Sequence, residues 1–395
     1  MKKIWGILFL AVLLLAFVYM KSKNIGDLRP ALLPTKSNVK ELIEEQNLHP
    51  DAANPAIQVS EGYSIGVFAA DLESPRDLVF SPGGTLLASV TSAGKVIALP
   101  DENKDGASDQ TIDVLSGLNR PHGITFYKNA LYVAEETQVS KYAWDEKQMR
   151  ATNGKVLFSL PRGGRHFTRS LAFTDGGKLF ISLGSTCDVC LEKDARISTV
   201  LVSDANGKTP QVYARGLRNA VFITVQPESQ QIWATEMGRD FLGDTSPPDE
   251  INIIREGKDY GWPICYGNKL FDSSFKSGKS TQACDNTEPP AFELPAHVAP
   301  LGLTFVEEQF SKSDAGDLLV ALHGSWNSSS PVGYKIVKLD VGGEKVTGMT
   351  DFITGFLSGG GALGRPVDMA FDANGVLYIS DDKAGVVYLV YKKTE

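Results

Sequence analysis

A short unit that recurs six times along the chain constrains the fold more than any other feature. Each copy has a short apolar strand, a turn rich in Gly, Asn or Asp, and a second apolar strand. Two clear copies are residues 171–173 with 179–183, and residues 369–371 with 377–381. Repetition at a spacing near ~45 residues is typical of the blades of a β-propeller.

The spacing of the copies predicts the number of blades. The last residues of the six first strands are separated by 46, 47, 52, 80 and 66 residues. The three shorter intervals suit one four-stranded blade each, and the two longer ones predict insertions. No long amphipathic helix separates the copies, which disfavours a βαβ fold. Apolar and polar side chains alternate over residues 57–69, which precede the first copy. We therefore expect this segment to add a strand to the last blade and so to remove the exposed sheet edges.

The first residues of the chain differ in composition from the rest. Two lysines precede an uncharged run over residues 4–20, and two more follow it. This run is longer than the apolar part of an ordinary cleaved signal and lacks a small-x-small cleavage pattern, so an uncleaved anchor helix is favoured over a cleaved one. The sequence therefore predicts an anchor or signal at 1–23, a linker at 24–56 and an all-β, six-bladed propeller at 57–395. The propeller would be membrane-tethered and periplasmic or extracellular.

Four cysteines fit an exported protein, in which disulfides persist. Cys187 and Cys190 form a CxxC motif, and Cys265 and Cys284 follow. We expect two structural bridges, one tight and one closing a loop. A redox pair should instead open a helix after a strand, and a zinc site usually has a second CxxC motif, so these two alternatives are less favoured.

The distribution of charge excludes one class of partner and suggests another. Net charge is −8 and the body of the chain has no Lys/Arg cluster, so nucleic acid is not an expected partner. Basic and imidazole side chains nevertheless recur where each first strand begins, a place that faces the propeller axis. They include Arg76, Arg120, Arg169, Arg218 and Arg365, with His122, His166 and His297. Burying these groups around nothing would be costly, so we expect an anion at the hub.

Four ordered motifs carry a family resemblance. They are residues 165–173 (RHFTRSLAF), residues 213–219 (YARGLRN), residues 247–252 with 260–263 (PPDEIN and YGWP), and residues 323–327 (HGSWN). Together they resemble the soluble glucose dehydrogenase and L-sorbosone dehydrogenase group of pyrroloquinoline quinone (PQQ) propellers. The pairing of GLRN with DEIN and YGWP is the specific part of the match, since many propellers share the blade pattern.

The resemblance implies roles for individual residues. His166 occupies the position of the family's catalytic base. Arg218 and Asn219 occupy positions where members of that family contact the quinone. Arg365 matches a cofactor-binding arginine of the last blade. Arg169, Arg120 and His323 are further candidate cofactor contacts. Val367 stands where soluble glucose dehydrogenases carry a second arginine, and Ser328 stands where a basic residue is expected.

Two calcium sites are also predicted. The resemblance implies a calcium ion beside PQQ, with ligands around Gly243, Asp244 and Thr245. Separately, Asp101, Asn103, Asp105 and Asp109 have the spacing of a calcium loop with Gly106 at its sixth position, although Ile112 stands where the bidentate Glu belongs. A plain Asp/Asn-rich surface turn is the alternative for this second segment.

These inferences predict a PQQ-dependent enzyme that oxidises an aldose or a related sugar or aldehyde. A neutral His166 would accept the hydroxyl proton, because the unperturbed pKa of histidine suits a general base, and Arg218 would stabilise charge on the quinone oxygen. Electrons would pass to a membrane quinone or a soluble carrier. The alternatives are a non-catalytic cell-surface binding propeller and a calcium-dependent, lactonase-type hydrolase.

Overall fold

The computed structural model describes residues 57–276, 278–358 and 361–393. Within these ranges the strands form six sheets of four or five strands and two small hairpins. The predicted anchor (1–23) and linker (24–56) lie outside the described residues. In the part that is described, no helix combines the length and apolar character needed to cross a bilayer.

Two N-terminal strands precede the first three blades. They are β1 (Gln58–Val59) and β2 (Tyr63–Ala69). The first blade contains β3 (Leu78–Phe80), β4 (Leu86–Val90), β5 (Lys95–Leu99) and β6 (Ile112–Leu115). The second contains β7 (Ile124–Tyr127), β8 (Ala130–Glu135), β9 (Gln138–Asp145) and β10 (Arg150–Ser159). The third contains β11 (Leu171–Phe173), β12 (Lys178–Leu183), β13 (Thr199–Asp204) and β14 (Gln211–Arg215).

The remaining blades carry the insertions. The fourth blade and its insertion comprise β15 (Ile223–Val225), β16 (Ile232–Glu236), β17 (Asp249–Ile254), β18 (Cys265–Tyr266), β19 (Leu270–Phe271), the 3-10 helix η1 (Thr281–Cys284) and β20 (Phe292–Leu294). The fifth contains β21 (Pro300–Phe305), β22 (Leu318–Leu322), β23 (Lys335–Gly342) and β24 (Lys345–Thr354). A hairpin of β25 (Leu357–Ser358) and β26 (Gly361–Ala362) leads to the sixth, which contains β27 (Pro366–Phe371), β28 (Leu377–Asp381) and β29 (Val386–Lys392).

The N-terminal strand closes the ring. Strand β2 pairs antiparallel with β29 as the outer strand of the sixth blade, with Ile65 opposite Val390. Strand β1 adds to the outer edge of the fifth blade, with Val59 opposite Ile353. This confirms the predicted six-bladed propeller and the predicted use of residues 57–69. The sixth blade thus takes strands from both ends of the described chain, which closes the ring.

Burial on both faces of each blade explains the apolar strands of the repeat. All residues of β4, β16 and β22 are buried, because each sheet packs between two neighbours. The side chain of Trp233 in β16 is fully buried and meets Phe305 of the next blade edge to face, with ring centroids 5.6 Å apart. Aromatic contacts of this kind fill the wedges between blades.

The long intervals in the repeat correspond to loops. The segment between β17 and β20 carries the β18–β19 hairpin and η1, tied by a disulfide between Cys265 and Cys284. A second disulfide joins Cys187 and Cys190 in the loop after β12. The predicted insertions and the prediction of one tight and one loop-closing disulfide are therefore confirmed.

The closing strand yields a test of stability. Ile65 is 2% exposed within the core of the last two blades, so Ile65→Ala should lower the free energy of unfolding by about 2–5 kcal/mol. Val156, a strand residue that is 49% exposed, provides the matched control, and Val156→Ala should change it by about 0.5 kcal/mol or less. Denaturant unfolding measures both. Equal effects of the two substitutions would contradict closure of the ring by β2.

Candidate active site

The predicted base and one predicted cofactor contact meet at the end of strand β12. A Cβ atom added to Gly184 would lie 2.6 Å from Cβ of His166 and 2.8 Å from Oδ1 of Asn219. Only glycine allows both side chains to approach the backbone here. The third and fourth blades thereby bring His166 and Asn219 together, although 53 positions separate them in the sequence.

The hydrogen bonds of His166 determine which ring nitrogen carries the proton. Nδ1 lies 3.1 Å from the carbonyl oxygen of Ser185, which can only accept, so Nδ1 is the donor. Nδ1 also lies 2.8 Å from Oγ of Ser185, whose own hydrogen goes to the carbonyl oxygen of Cys187 at 2.6 Å. A neutral ring protonated at Nδ1 leaves Nε2 with a lone pair. This is the state that a general base needs.

The surroundings keep this imidazole neutral. Burial, followed by the positive charges of Arg218 and Arg165, lowers the pKa of His166 from 6.5 to about 3. The backbone hydrogen bond to Ser185 acts in the opposite direction and is outweighed. Nε2 is therefore available to accept a proton throughout the neutral range.

Arg218 is held by two carboxylates. Its Nη2 lies 2.8 Å from Asp188 and 3.2 Å from Asp240, and its Nε donates to the backbone oxygen of Asp188 at 3.1 Å. Arg165 donates to the same carboxyl group of Asp240. Arg218 is 4% exposed, so these partners compensate a buried charge. Two guanidinium groups therefore face two carboxyl groups on this side of the hub, and the sequence had not predicted these acidic partners.

Close backbone packing explains why the GLRN and YGWP motifs occur together. Gly216 has a φ of +78°, and a Cβ atom there would lie 2.2 Å from Asp259 Oδ1 and 2.7 Å from the nitrogen of Gly261. Trp262 then donates from Nε1 to the backbone oxygen of Asp188 at 3.2 Å. The insertion of the fourth blade thus supports the loop that contacts Arg218.

A second cluster lies between the fifth, sixth and first blades. Nη1 of Arg365 lies 3.3 Å from Nδ1 of His323. Because guanidinium only donates, Nδ1 accepts, and Nε2 of His323 donates to Asp382 at 2.9 Å. Asp382 also pairs with Arg76. Burial alone would raise the pKa of Asp382, but the contacts with His323 and Arg76 have the larger effect and hold this pKa well below its ordinary value. The carboxyl group is therefore ionised.

Arg365 in this second cluster has only neutral hydrogen-bond partners among the described residues. Arg365 donates to the backbone oxygens of Gly324 and Ser325 and to the Tyr334 hydroxyl, and it forms no ion pair among the described residues. Burial, with the charge of Arg365, lowers the pKa of Lys383. Arg76 is paired with Asp382, whereas the guanidinium of Arg365 has no carboxylate at ion-pair distance among the described residues. Unlike the His166 side, this side of the hub is suited to an anion.

The HGSWN loop connects the two clusters. Its first residue, His323, belongs to the positive cluster, whereas Nδ2 of Asn327 donates to Asp240 at 3.0 Å. The Arg165 guanidinium lies 5.4 Å from the ring centroid of Trp326. Both clusters therefore border the same region of the hub. This loop also accounts for Ser328, which is only 4% exposed and leaves no room for a longer basic side chain.

Two predicted cofactor contacts, and the valine that replaces a family arginine, lie outside these two clusters. Arg169 is fully buried and donates to the backbone oxygens of residues 161, 166 and 168, so it braces the His166 loop from behind. Arg120 is half exposed on the rim, with its guanidinium 4.5 Å from the Phe167 ring. Val367 is fully buried in the core, and an arginine would not fit there. The cofactor contacts proposed for Arg169 and Arg120 stay predictions.

The predicted calcium segments have these surroundings. The carbonyl oxygen of Gly243 accepts from Nε2 of His297 at 2.7 Å, Asp244 accepts from Ser329, and Thr245 is exposed. In the surface loop between β5 and β6, side-chain oxygens accept backbone N–H groups of the same loop; these acceptors are Asp101, Asn103, Asp105 and Asp109. Both calcium sites stay predictions.

Several residues of the site were missed by the sequence reasoning. Asp188, Asp240, Ser185 and Asp382 all lie in loops or at strand ends outside the motifs that carry the resemblance. One signal was present: Asp188 lies inside the Cys187–Cys190 motif, where a tight bridge fixes the direction of the intervening side chains. Asp240 and Asp382 gave no comparable signal: Asp240 lies in a loop 22 positions from Arg218 with no motif around it, and the partner of Asp382, Arg76, is 306 positions away.

Comparison with known proteins supports the fold and the resemblance. Residues 57–393 match the protein family described as TrAA12-like. An uncharacterized protein of Borreliella burgdorferi is 30% identical over 372 residues, covering 89% of this chain and 94% of that protein. A Trichoderma reesei protein of carbohydrate-active enzymes family AA12 superimposes with a TM-score of 0.77 at 21% identity, covering 86% of this chain and 98% of that structure.

Some relatives have a stated activity, and one of them matches most of this chain. The pyrroloquinoline quinone-dependent pyranose dehydrogenase of Coprinopsis cinerea is 25% identical over 414 residues, covering 86% of this chain. This chain spans only 56% of the length of that enzyme. The family match confirms the relationship that the four motifs predicted, and it extends over all six blades.

The buried His122 beside the positive cluster gives a pH test. Burial, followed by the charge of Arg76, lowers the pKa of His122 from 6.5 to about 3. In the folded protein His122 therefore stays neutral at pH 5, whereas in the unfolded chain it gains a proton as the pH falls below 6.5. Stability is therefore lost as the pH falls, by about 2 kcal/mol between pH 7.5 and pH 5 for one such group. Chemical denaturation of the wild type and His122→Gln should show this extra loss only in the wild type. Parallel pH profiles would contradict the buried neutral state.

Proposed function

The chain belongs to the TrAA12-like family, and from that membership we propose that it is a PQQ-dependent dehydrogenase that oxidises a sugar or related aldehyde. The named activity of the Coprinopsis cinerea relative supports this proposal. The observation that carries it is the free Nε2 lone pair of His166 beside Arg218. A base kept neutral by burial, next to a fixed positive charge, suits removal of a proton from a sugar hydroxyl.

The residues present fit an anionic quinone. Arg365, with no carboxylate at ion-pair distance in the described structure, would hold a carboxylate of the cofactor. Arg218 and Asn219 would contact the opposite, carbonyl-bearing end. Bound there, the quinone would supply the acceptor for the hydride that leaves the sugar carbon. Calcium beside the quinone, with ligands around Gly243, is part of the same proposal.

The chain's own residues perform the proton chemistry. His166 accepts the hydroxyl proton at Nε2 while Ser185 holds its Nδ1–H, so the ring cannot turn away or change tautomer without losing two hydrogen bonds. Arg165 and Arg218 oppose a lasting positive charge on the imidazole, which favours release of the proton to solvent after each turnover. Arg218, fixed by Asp188, supplies a positive field that needs no reorganisation during the reaction.

The calcium-dependent hydrolase alternative receives less support. Such a site needs axial carboxylates free to bind metal and water, whereas Asp188 and Asp240 are engaged by Arg218 and Arg165.

Location and electron acceptor belong to the proposal as well. The uncharged run at residues 4–20 and the two disulfides support a tethered enzyme outside the cytoplasm that delivers electrons to a membrane quinone or a soluble carrier.

Substitution of the base tests the activity. His166→Gln should lower kcat about 10²–10⁴-fold because the proton acceptor is lost, while binding of the quinone is retained. Sugar-dependent dye reduction after reconstitution with PQQ and Ca²⁺ measures kcat, and calorimetry measures binding. Wild-type kcat should also stay flat between pH 5 and pH 8, since the pKa of His166 is about 3. A wild type that binds no PQQ would instead support the non-catalytic binding propeller.

Substitution in the positive cluster tests the orientation of the cofactor. Arg365→Leu should weaken PQQ binding about 10–100-fold, as expected for loss of a charge-assisted hydrogen bond, and Arg365→Lys should recover part of that loss. Arg162, which is 86% exposed on the rim, provides the control. Equal affinities for Arg365→Leu and Arg162→Leu by calorimetry would contradict this assignment.

A further inference from the structure

The loop between β12 and β13 reaches both reactive side chains of the proposed site. Residues 184–198 contain no strand or helix, and the disulfide between Cys187 and Cys190 closes a turn within them. Holding such a segment in one conformation costs conformational entropy that no strand or helix hydrogen bonds offset. The covalent link supplies a restraint that regular structure provides elsewhere in the propeller.

One end of this loop orients His166. The Ser185 hydroxyl accepts from Nδ1 of His166 and donates to the carbonyl oxygen of Cys187, at 2.8 and 2.6 Å. The hydroxyl can act as an acceptor for the imidazole only while its own hydrogen has that carbonyl to bond. The position of Cys187, and hence the disulfide, is therefore coupled to the ring of the base.

The middle of the loop orients Arg218. Oδ1 of Asp188 accepts from Nε and Nη2 of Arg218 and from the backbone nitrogen of Asp240. The backbone oxygen of Asp188 accepts from Arg218 and from Trp262. Asp188 lies between the two bridged cysteines, so opening the bridge frees the residue that fixes the arginine.

We propose that residues 185–190, which the disulfide between Cys187 and Cys190 holds in one conformation, are a positioning element of the active site. In it, Ser185 and Asp188 are positioning residues that act through His166 and Arg218. The catalytic part of this inference rests on the proposed function; the orientation of the two side chains does not. The other disulfide is the natural contrast, because Cys265 and Cys284 are buried and hold the fourth-blade insertion.

The test opens the bridge without removing any reactive group. The double variant Cys187→Ser/Cys190→Ser is compared with the wild type by ¹⁵N NMR of histidine-labelled protein without cofactor, with the His166 signals assigned from His166→Gln. The wild type should show a protonated Nδ1 and an unprotonated Nε2. The variant should show a mixture of both tautomers, because a Ser185 hydroxyl released from the Cys187 carbonyl can donate to Nδ1 and compete with the Nδ1–H bond to the Ser185 carbonyl oxygen. A purely structural bridge would lower the unfolding temperature and leave the tautomer unchanged.

Asp188→Ala tests the second contact. It should weaken PQQ binding about tenfold and lower kcat by a similar factor, since Arg218 loses its fixed orientation. Asp194→Ala is the matched control: Asp194 is 40% exposed in the same segment and pairs only with the surface residue Arg196. An unchanged His166 tautomer in the double variant, together with equal behaviour of Asp188→Ala and Asp194→Ala, would overturn the proposal. If the wild type binds no PQQ, the NMR comparison still decides the role of the loop.

Discussion

The convergence of six inner strands on one axis is the constraint from which the rest of this structure follows. Backbone groups at the inner strand ends cannot all pair within their own sheets, so neighbouring blades satisfy them. The nitrogen of Leu78 donates to Asp368, the nitrogen of Ile124 donates to Asp77, and Ser170 donates to the carbonyl oxygen of Val221. Burial raises the pKa of both Asp77 and Asp368, which favours a shared proton between them. The same convergence gathers polar side chains at the hub, where chemistry becomes possible.

The hub divides its charge unevenly, and this division gives the site its character. Around His166, carboxylates from two loops balance Arg165 and Arg218, so the base sees fixed positive groups without a large net charge. On the other side, Arg76 is paired with Asp382, but the guanidinium of Arg365 has no carboxylate partner among the described residues. An anionic redox cofactor would bind with its carboxylates at the second cluster and its reactive end at the first. The HGSWN loop holds the two at a fixed separation by contacting both.

The sequence was sufficient to predict the fold and the principal polar residues, but not their pairing. The repeat predicted six blades and the closing strand, because burial on two faces leaves a strong apolar pattern. It placed His166, Arg218 and Asn219 together, since each precedes or follows a strand at the same end of a blade. The sequence did not predict the backbone partners of Arg169, because only the structure shows that its guanidinium donates to three carbonyl oxygens of the neighbouring loop. The acidic partners of Arg218 come from separate loops, and no local pattern encodes such a contact.

A structure of the protein with PQQ bound would show how the cofactor lies between the two sides of the hub. The expected result is a cofactor carboxylate within hydrogen-bond distance of Arg365, with the quinone carbonyls facing Arg218 and the Nε2 atom of His166. A quinone bound in the reverse orientation, or outside the hub, would contradict it.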